Sequence, residues 1–514
     1  MKSVSSDSRK LQNRMFFIGF VMIIFGIVFW KLCSSAVAND GFWHLKMGRW
    51  MLENKSIPHY AVGAWGGEDL YWLPQEWLYQ VILSFITGNS VKFAWILSMC
   101  VWCVTYFLIG IFSNLYDNVF LKPFGLLLFG FGMVFSMLGY CTPRPQVVST
   151  LFLVIFIYFL RKVLIGKVPT WKDYIGFFIL SVVWSNLHAG CAILGYLIPF
   201  GVVICYTVSD KLAEWKMNFF GKYFDVTHGD KSVQNATWVC VAMLLGNFCT
   251  PNGVMGFLYP YMSMHDGLML SVISEWAAPD FNSAEGVILF YVPVLFVILW
   301  LFVTDRGKIV FYDVLVIGFL ILMTLMHMRM FSFMITSICL LIIPYLPALN
   351  NENGRWQNQV LPVWVSVLCI CGSLLFFAMG IPSISFAKEG LENDEFFETV
   401  KQESGDRLFN YYDIGSILQY HDIPVFVDAR YDPFSEERMR DFVSIRSLDS
   451  QSDSLNEILT RYDFTSMLDT KDASSLLWAS KHGYEKVAEW DTGTEYTNWY
   501  GQNESLVYEF WVKK

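Results

Sequence analysis

The chain has 514 residues, of which 55% are hydrophobic, 18% aromatic and 16% charged, and its mean hydropathy is +0.42. This balance excludes an ordinary soluble domain and indicates a polytopic membrane protein. The formal net charge is -9 at pH 7, and the excess of acidic residues over 382–514 argues against nucleic acid as a ligand. The sequence contains no P-loop, GxSxG, HExxH or dinucleotide-binding fingerprint.

Apolar runs long enough to cross a membrane recur from Met15 to about Ile381. A helix needs about 17 to 25 such residues to span the hydrocarbon core, and the Gly and Pro within several runs are tolerated in membrane helices. The expected fold class is therefore mainly α, a polytopic transmembrane helical bundle over residues 1–381. We predict about eleven spans, at 15–37, 91–113, 121–140, 147–165, 173–189, 190–208, 234–250, 284–304, 309–327, 330–347 and 359–381.

Clusters of Lys and Arg predict the orientation of these helices. By the positive-inside rule, the N-terminus and the loops with the clusters are cytoplasmic. An odd number of spans then places the C-terminal region of this multi-pass cell-membrane protein on the outer side of the membrane. The basic start and the "AVA" at 36–38 also resemble a cleaved secretory signal, but the length of the apolar run favours an uncleaved helix. The clusters precede the first span and follow the fourth, sixth and eighth: Lys2, Arg9, Lys10, Arg14; Arg161, Lys162, Lys167, Lys172; Lys211, Lys216, Lys222, Lys231; Arg306, Lys308.

The first outer loop, residues 38–90, is too long and too aromatic for a simple connection. "FWHLKMGRWML" places Trp43, Met47 and Trp50 at helical spacing, and "PQEWLYQVILSFITG" predicts a second apolar-faced helix that begins at Pro74. Both segments are short for a span, and their aromatic residues favour the headgroup level. We expect two helices that lie along the outer membrane surface.

The composition changes in the C-terminal part, residues 382–514. This part holds 26 acidic and 13 basic residues, so the acidic excess of the chain lies there. Short strand-like runs, such as Pro424 to Asp428, alternate with amphipathic helical stretches, which predicts a small extracytoplasmic α/β domain. In its charged motif "VDARYD", which also contains Arg430 and Asp432, we expect a structural Asp-Arg pair rather than a site.

Lone polar residues stand near the ends of the predicted spans and share one predicted side. For any single residue, contact with headgroups or capping of a helix is a sufficient explanation. The inner ends carry ordinary Lys and Arg clusters instead, and this asymmetry predicts one cavity that opens outward. The residues on the outer face are Asp40, His44, Arg144, His188, Asn247, Asn252, Glu275, His327 and Arg329.

Several motifs follow one another in a recognisable order. They are D-x-x-W-H-L-x-x-G-x-W from Asp40, "IP" in the outer loop, W-x-x-x-E-W-L, "RPQ" at the start of a span, W-x-N-L-H-x-G, "EW" before a later span and "VFVDAR" in the tail. This progression resembles a bacterial group of polytopic membrane proteins that is placed in the GT-C glycosyltransferase superfamily. The resemblance covers nearly the whole chain and implies a GT-C-like helical bundle.

The resemblance also implies a reaction. GT-C enzymes transfer a sugar from a polyprenyl phosphate outside the membrane, with a catalytic acid in the first outer loop, and Asp40 is the matching position here. Asp40 would accept the proton of an acceptor hydroxyl, while Arg144 and Arg329 would stabilise the phosphate charge. The implied partners are a polyprenyl-phosphate-linked sugar donor, a glycan, lipid or protein acceptor, and membrane lipids.

The other polar residues are assigned to substrate binding, with alternatives. His44 lies four residues after Asp40 and would share its helical face, where it orients the carboxylate, binds substrate or packs. Glu275 is a second acid or a helix cap. His188 and His327 complete the substrate-binding set, with helix capping as the alternative for His188.

One departure from the group concerns metal binding. Relatives often carry another acid two positions before the one matched by Asp40, and this chain has Ala38 there. Because a lone carboxylate is a weak metal site, we predict no metal and no cofactor, although the pattern of the relatives would allow a divalent cation.

Two other function classes stay open on the sequence alone. A transport protein for lipid-linked envelope components would need polar groups on both faces or repeated broken helices, whereas here the polar residues share one predicted side. A non-catalytic scaffold would keep the fold without using Asp40 as a base, and Ala38 leaves room for it. The Asp40 motif and the outer polar residues favour the glycosyltransferase.

Overall fold

The computed structural model is mainly helical, with one small mixed β-sheet near the C-terminus. It describes residues 6–32, 40–166, 168–214, 224–225, 231–263, 278–304, 309–346, 361–380, 393–430, 432–497 and 503–514.

Fifteen α-helices follow one another in the described part of residues 6–380. Each apolar run for which a span is predicted coincides with one of them, because a long apolar run satisfies its backbone polar groups internally only as a helix. The helices are α1 (Ser6–Leu32), α2 (Asp40–Asn54), α3 (Trp77–Thr87), α4 (Val91–Phe112), α5 (Leu115–Asn118), α6 (Pro123–Tyr140), α7 (Pro145–Ile165), α8 (Trp171–Ala192), α9 (Leu194–Glu214), α10 (Ser232–Asn247), α11 (Gly253–Ser263), α12 (Ala284–Val303), α13 (Phe311–Met326), α14 (Phe331–Ile342) and α15 (Leu361–Gly380).

Six helical segments among the described residues are long and apolar enough to cross a membrane. Repeated helices of this kind are those of a multi-pass membrane protein. Four further apolar helices are shorter, so the count of about eleven spans stays a prediction, as does the side on which each end lies. The six segments are Asp7–Lys31, Val91–Phe112, Pro123–Tyr140, Pro145–Ile165, Trp171–Ala192 and Met328–Tyr345.

The first outer loop folds as two helices, α2 and α3, as its apolar spacing predicts. The helices approach closely at Gly48, where a Cβ would lie 2.0 Å from the Gln80 carbonyl oxygen, so only glycine permits this packing. α3 begins at Trp77 and not at Pro74. The Pro74 carbonyl oxygen accepts a hydrogen bond from Asn252 Nδ2 (3.3 Å) and is therefore used by another element.

A four-stranded mixed sheet forms the centre of the C-terminal part. Its order is β1-β2-β4-β3, with β1 and β2 parallel and β4 antiparallel to both of its neighbours. The parallel pair needs a long helical crossover, and the chain between them supplies three helices. The strands are β1 (Leu408–Asn410), β2 (Ser466–Thr470), β3 (Tyr484–Thr497) and β4 (Asn503–Lys513). The helices among these described residues are α16 (Asp394–Glu403), α17 (Tyr412–Tyr420), α18 (Glu436–Ser447), α19 (Asp453–Tyr462) and α20 (Ser474–Ala479).

The predicted strand over residues 424–428 is wrong. Val425 forms an isolated parallel bridge with Ala64 of the first outer loop. The Asn410 side-chain oxygen accepts a hydrogen bond from the Phe426 backbone N–H (2.7 Å), and Asn410 Nδ2 donates to the Val427 carbonyl oxygen (2.8 Å). Because these groups satisfy the backbone of the segment, it does not join the sheet.

The same segment attaches the C-terminal part to the first outer loop. Arg430 and Asp428 form a fully buried ion pair with an N–O distance of 2.6 Å. The Arg430 guanidinium also donates to the Val62 carbonyl oxygen (2.9 Å) and lies 5.0 Å from the centre of the Trp72 ring. Two basic residues of α2 pair with Asp422. The C-terminal part therefore packs beside α2, the helix that begins with Asp40.

Candidate functional site

Asp40 and Arg144 form an ion pair where α2 begins. Arg144 Nε lies 2.6 Å from Asp40 Oδ2, and the side chains are 21% and 23% exposed, respectively. Asp40 is the first residue of its helix, where the helix dipole stabilises a carboxylate. Arg144 precedes Pro145 and is extended (φ -120°, ψ 150°), as that position requires. A Cβ on Gly41 would lie 2.6 Å from Pro143 Cγ, so glycine allows the two segments to meet.

A third group, the Glu76 carboxyl, lies between two histidines. Its Oε2 is 3.7 Å from His44 Nδ1, and its Oε1 is 3.6 Å from His188 Nε2. The Glu76 side chain is 12% exposed, that of His188 5% and that of His44 2%. Since Asp40 and Arg144 are more exposed, they form the mouth of the site, and Glu76 with the two histidines forms its floor.

A kink in α8 positions His188. Its backbone leaves the helical conformation (φ -164°, ψ 82°), and Ser149 Oγ lies 2.9 Å from its Nδ1. Trp184 Nε1 donates to the same Ser149 oxygen (2.9 Å), and the backbone N–H two residues after His188 donates to Gln75 Oε1 (3.2 Å). These bonds hold the imidazole with its Nε2 toward Glu76 and tie the kink to the residues before α3.

Arg329 lies in a single 3-10 turn, Met328–Met330, between α13 and α14. Gln146 Nε2 donates to the Arg329 carbonyl oxygen (2.7 Å), which ties this turn to the start of α7. The positive charge of Arg329 lies close enough to Glu76 to lower the pKa of its carboxyl. Arg144 and Arg329 therefore place two cationic groups beside Glu76.

The structure brings five of the residues predicted from sequence into this cluster: Asp40, His44, Arg144, His188 and Arg329. His327 is the C-cap residue of α13, two positions before Arg329, and its role in substrate binding stays a prediction. Glu275 lies outside the described residues. Asn247 donates a hydrogen bond to the Ser181 hydroxyl, and Asn252 donates one to the Pro74 carbonyl oxygen. These bonds give both asparagines a structural role.

The two acids of the cluster occupy opposite environments. Burial, and after it the nearby Asp40 charge, raises the pKa of Glu76 from 4.5 to about 8, although Arg329 and Arg144 act in the other direction. Burial and then Arg144 lower the pKa of His44 well below 6.5. At neutral pH, Glu76 is therefore a neutral carboxylic acid and His44 a neutral imidazole, whereas Asp40 is paired with a cation.

Glu76 and Asp432 also belong to the cluster, although neither was predicted from sequence as a site residue. The Asp432 carboxylate accepts a hydrogen bond from the Tyr259 side chain of α11, and burial raises the pKa of Asp432 to about 7. Its charge also reaches Glu76. Both acids stand in motifs noted above, W-x-x-x-E-W-L and "VDARYD". An acid within a motif of apolar and aromatic residues could have indicated a site residue. The partners of both acids are distant in sequence, however, so the motifs alone do not show the cluster.

Metal binding stays untested at this site. Among the described residues, no group of three or more His, Cys, Asp or Glu side chains is arranged to hold a metal ion. Ala38, where relatives often carry a further acid, lies outside the described residues. The absence of a metal cofactor is therefore still a prediction.

Comparison of the sequence with protein-family profiles and with curated proteins gives no match. The oligosaccharyltransferase of Archaeoglobus fulgidus is structurally similar: its apo crystal structure has a TM-score of 0.51 and 9% identity, over 94% of this chain and 74% of that one. The crystal structure of the same enzyme tethered through a disulfide bond to an acceptor peptide with the NVT sequon has a TM-score of 0.50 and 9% identity, over 94% of this chain and 73% of that one. The chain has a GT-C-like fold. That part of the sequence-based expectation is confirmed, and the likeness concerns the fold alone.

Proposed function

We propose that the chain is an integral membrane glycosyltransferase that moves a sugar from a polyprenyl-phosphate-linked donor to a glycan, lipid or protein acceptor on the outer face. The observation that carries the proposal is the ion pair of Asp40 and Arg144, 2.6 Å apart at the first residue of α2, in a chain with a GT-C-like fold. The residue proposed as the base and the residue proposed to bind phosphate are therefore neighbours at the start of α2.

In this proposal, Asp40 is the general base. It accepts the proton of the acceptor hydroxyl as the acceptor oxygen bonds to the sugar carbon. The bond from that carbon to the phosphate oxygen breaks, and its electron pair leaves with the lipid phosphate. Because that phosphate is stable as an anion, the reaction needs no strong acid, and Arg144 and Arg329 stabilise the developing charge.

Arg144 has the geometry for two tasks at once. A guanidinium carries five N–H donors in a planar fork, so Arg144 can pair with Asp40 through its Nε while its terminal nitrogens bind a phosphate oxygen. A lysine at this position would be a single point charge and would have to choose between the two anions.

Transfer of labelled sugar by the purified full chain with envelope extract, from a panel of polyprenyl-phosphate donors, tests the proposal. Asp40→Asn keeps the size of the side chain and removes the base, so transfer should fall by about 100-fold or more. Asp69→Asn is the matched control, because Asp69 is an exposed acid of the same outer loop, and it should transfer like wild type.

Other outcomes would redirect the assignment. Wild-type protein that binds donor without turnover would favour the transport or scaffold alternatives, and normal transfer by Asp40→Asn would remove Asp40 as the base. Loss of transfer on adding a chelator, with recovery on adding a divalent cation, would contradict the predicted absence of a metal.

A further inference from the structure

The proposed mechanism gives no task to the buried carboxyl of Glu76. Its distances of 3.7 and 3.6 Å to His44 and His188 exceed hydrogen-bond length, so neither imidazole occupies its hydrogen-bonding capacity. The side chain keeps 12% exposure, and the charges of Asp40, Arg144 and Arg329 all reach it. An acid at the floor of the site therefore faces the groups that would hold the donor phosphate.

We propose that Glu76 donates a hydrogen bond from its carboxylic acid to the phosphate of the lipid-linked donor, beside Arg144 and Arg329. This inference rests on the proposed function, since it adds a third ligand to the same phosphate. It assigns Glu76 to donor binding, and Asp40 alone to the transfer of the acceptor proton.

The chemistry requires the neutral form of Glu76. A carboxylate would repel a phosphate, whereas a carboxylic acid forms a short, charge-assisted O–H to O⁻ hydrogen bond with it. The pKa of Glu76, about 8, exceeds the second pKa of a phosphate monoester, about 6. The proton therefore stays on Glu76 when the lipid phosphate leaves, and no proton transfer accompanies this contact.

Charged and titratable groups from several elements surround Glu76. Asp40 and Asp432 raise the pKa of its carboxyl, and Arg329 and Arg144 lower it. A bound phosphate would offset the two arginine charges, so donor binding and protonation of Glu76 should reinforce each other. The groups are Asp40 and His44 from α2, Tyr79 from α3, Arg144 before α7, His188 and Cys191 from α8, Arg329 from the 3-10 turn, and Asp432 from the C-terminal part.

Binding of a polyprenyl-phosphate sugar to the purified full chain between about pH 6.5 and 9.5, on both sides of the Glu76 pKa of about 8, tests the inference, because the donor phosphodiester keeps its single charge throughout. The wild-type Kd should be constant below about pH 8 and rise about tenfold per unit above it, as loss of one proton requires. Glu76→Gln keeps an N–H donor and cannot ionise, so this rise should disappear. Glu76→Leu should bind more weakly at every pH.

Glu53→Gln is the matched control, since Glu53 is an exposed acid near the end of α2, and it should keep the wild-type profile. A flat wild-type profile, or the same rise in Glu76→Gln, overturns the inference, as does wild-type binding that requires a divalent cation. If Glu76→Leu does not fold, the comparison of Glu76→Gln with wild type decides alone. A pH-dependent Kd that Glu76→Gln abolishes, in a protein that transfers no sugar, would support the phosphate contact and refute the transferase.

Discussion

Two carboxyl side chains of one site show how neighbouring groups assign different chemistry to the same functional group. Asp40 begins a helix, pairs with Arg144 and is 23% exposed, so a cation and a helix N-terminus both lie beside its carboxylate. Glu76 lies between two imidazoles with 12% exposure, which favours its neutral form. Such a divergence is how active sites obtain a base and a hydrogen-bond donor from two acids at one pH.

The raised pKa of Glu76 predicts how stability depends on pH. The folded chain holds this proton up to about pH 8, whereas the unfolded chain releases it near 4.5, so the contribution is present below pH 4.5 and is lost as the pH rises to 8. The loss is at most about 5 kcal/mol. Glu76→Gln has no ionisable carboxyl and lacks this pH-dependent contribution. As the pH rises from 4.5 to 8, the wild-type Tm should therefore fall by a few degrees relative to the Tm of this variant. Thermal unfolding in detergent measures both, and a constant Tm difference would contradict the assignment.

Part of the cluster could be predicted from the sequence, namely the residues that the motifs and the predicted topology place on one side of the membrane. Asp40 and Arg144 each stand at the start of a helix on one predicted side, so the sequence could suggest that they meet. Glu76 escaped because an acid in the first turn of a helix has an ordinary explanation in the helix dipole. Its neighbour His188 belongs to another helix, and only packing brings the two within 3.6 Å.

At the scale of elements, hydrophobic spacing predicted which segments are helices but not where some of them begin or bend. α3 begins at Trp77, and other elements occupy the two carbonyls before it: Asn252 Nδ2 donates to the Pro74 carbonyl and the Ala189 N–H to the Gln75 carbonyl. The kink of α8 at His188 follows from bonds to Ser149 and Gln75, which lie far away in the sequence. Both departures occur at the site, where tertiary contacts override local preference.

The close packing of α2 on α3 sets the position of His44 relative to Glu76, and Gly48 permits it. Gly48→Ala would place a Cβ 2.0 Å from the Gln80 carbonyl oxygen, so the helices must separate, at a cost of about 1–3 kcal/mol. Transfer should fall with stability, because His44 lies one turn away. Gly176→Ala in α8 is the control: its Cβ would meet nothing within 4 Å, and stability should stay level or rise by up to about 1 kcal/mol. Equal Tm values for the two variants would refute the close contact.

At the scale of the whole molecule, the C-terminal part is built into the site region. Asp432 reaches Tyr259 and Glu76, and Arg430 reaches Val62. Composition predicted a separate α/β unit, and the sheet supports that class of structure. Composition could not predict that the run at 424–428 pairs with the first outer loop, because a short apolar run is equally compatible with a strand of a sheet and with a segment packed against another part of the chain. The boundary at residue 382 and the extracytoplasmic location stay predictions.

The buried pair of Arg430 and Asp428 should therefore control both stability and activity. Arg430→Ala leaves a fully buried carboxylate without its cation, which costs about 3–5 kcal/mol, and it removes the bond to Val62. We expect a lower Tm, faster proteolysis between the two parts, and reduced transfer because Asp432 leaves the site. Arg440→Ala breaks an exposed pair with Glu436 and should change stability by less than about 1 kcal/mol. If both variants melt and transfer alike, the C-terminal part folds independently of the first outer loop, and the contribution of Asp432 to the site is refuted.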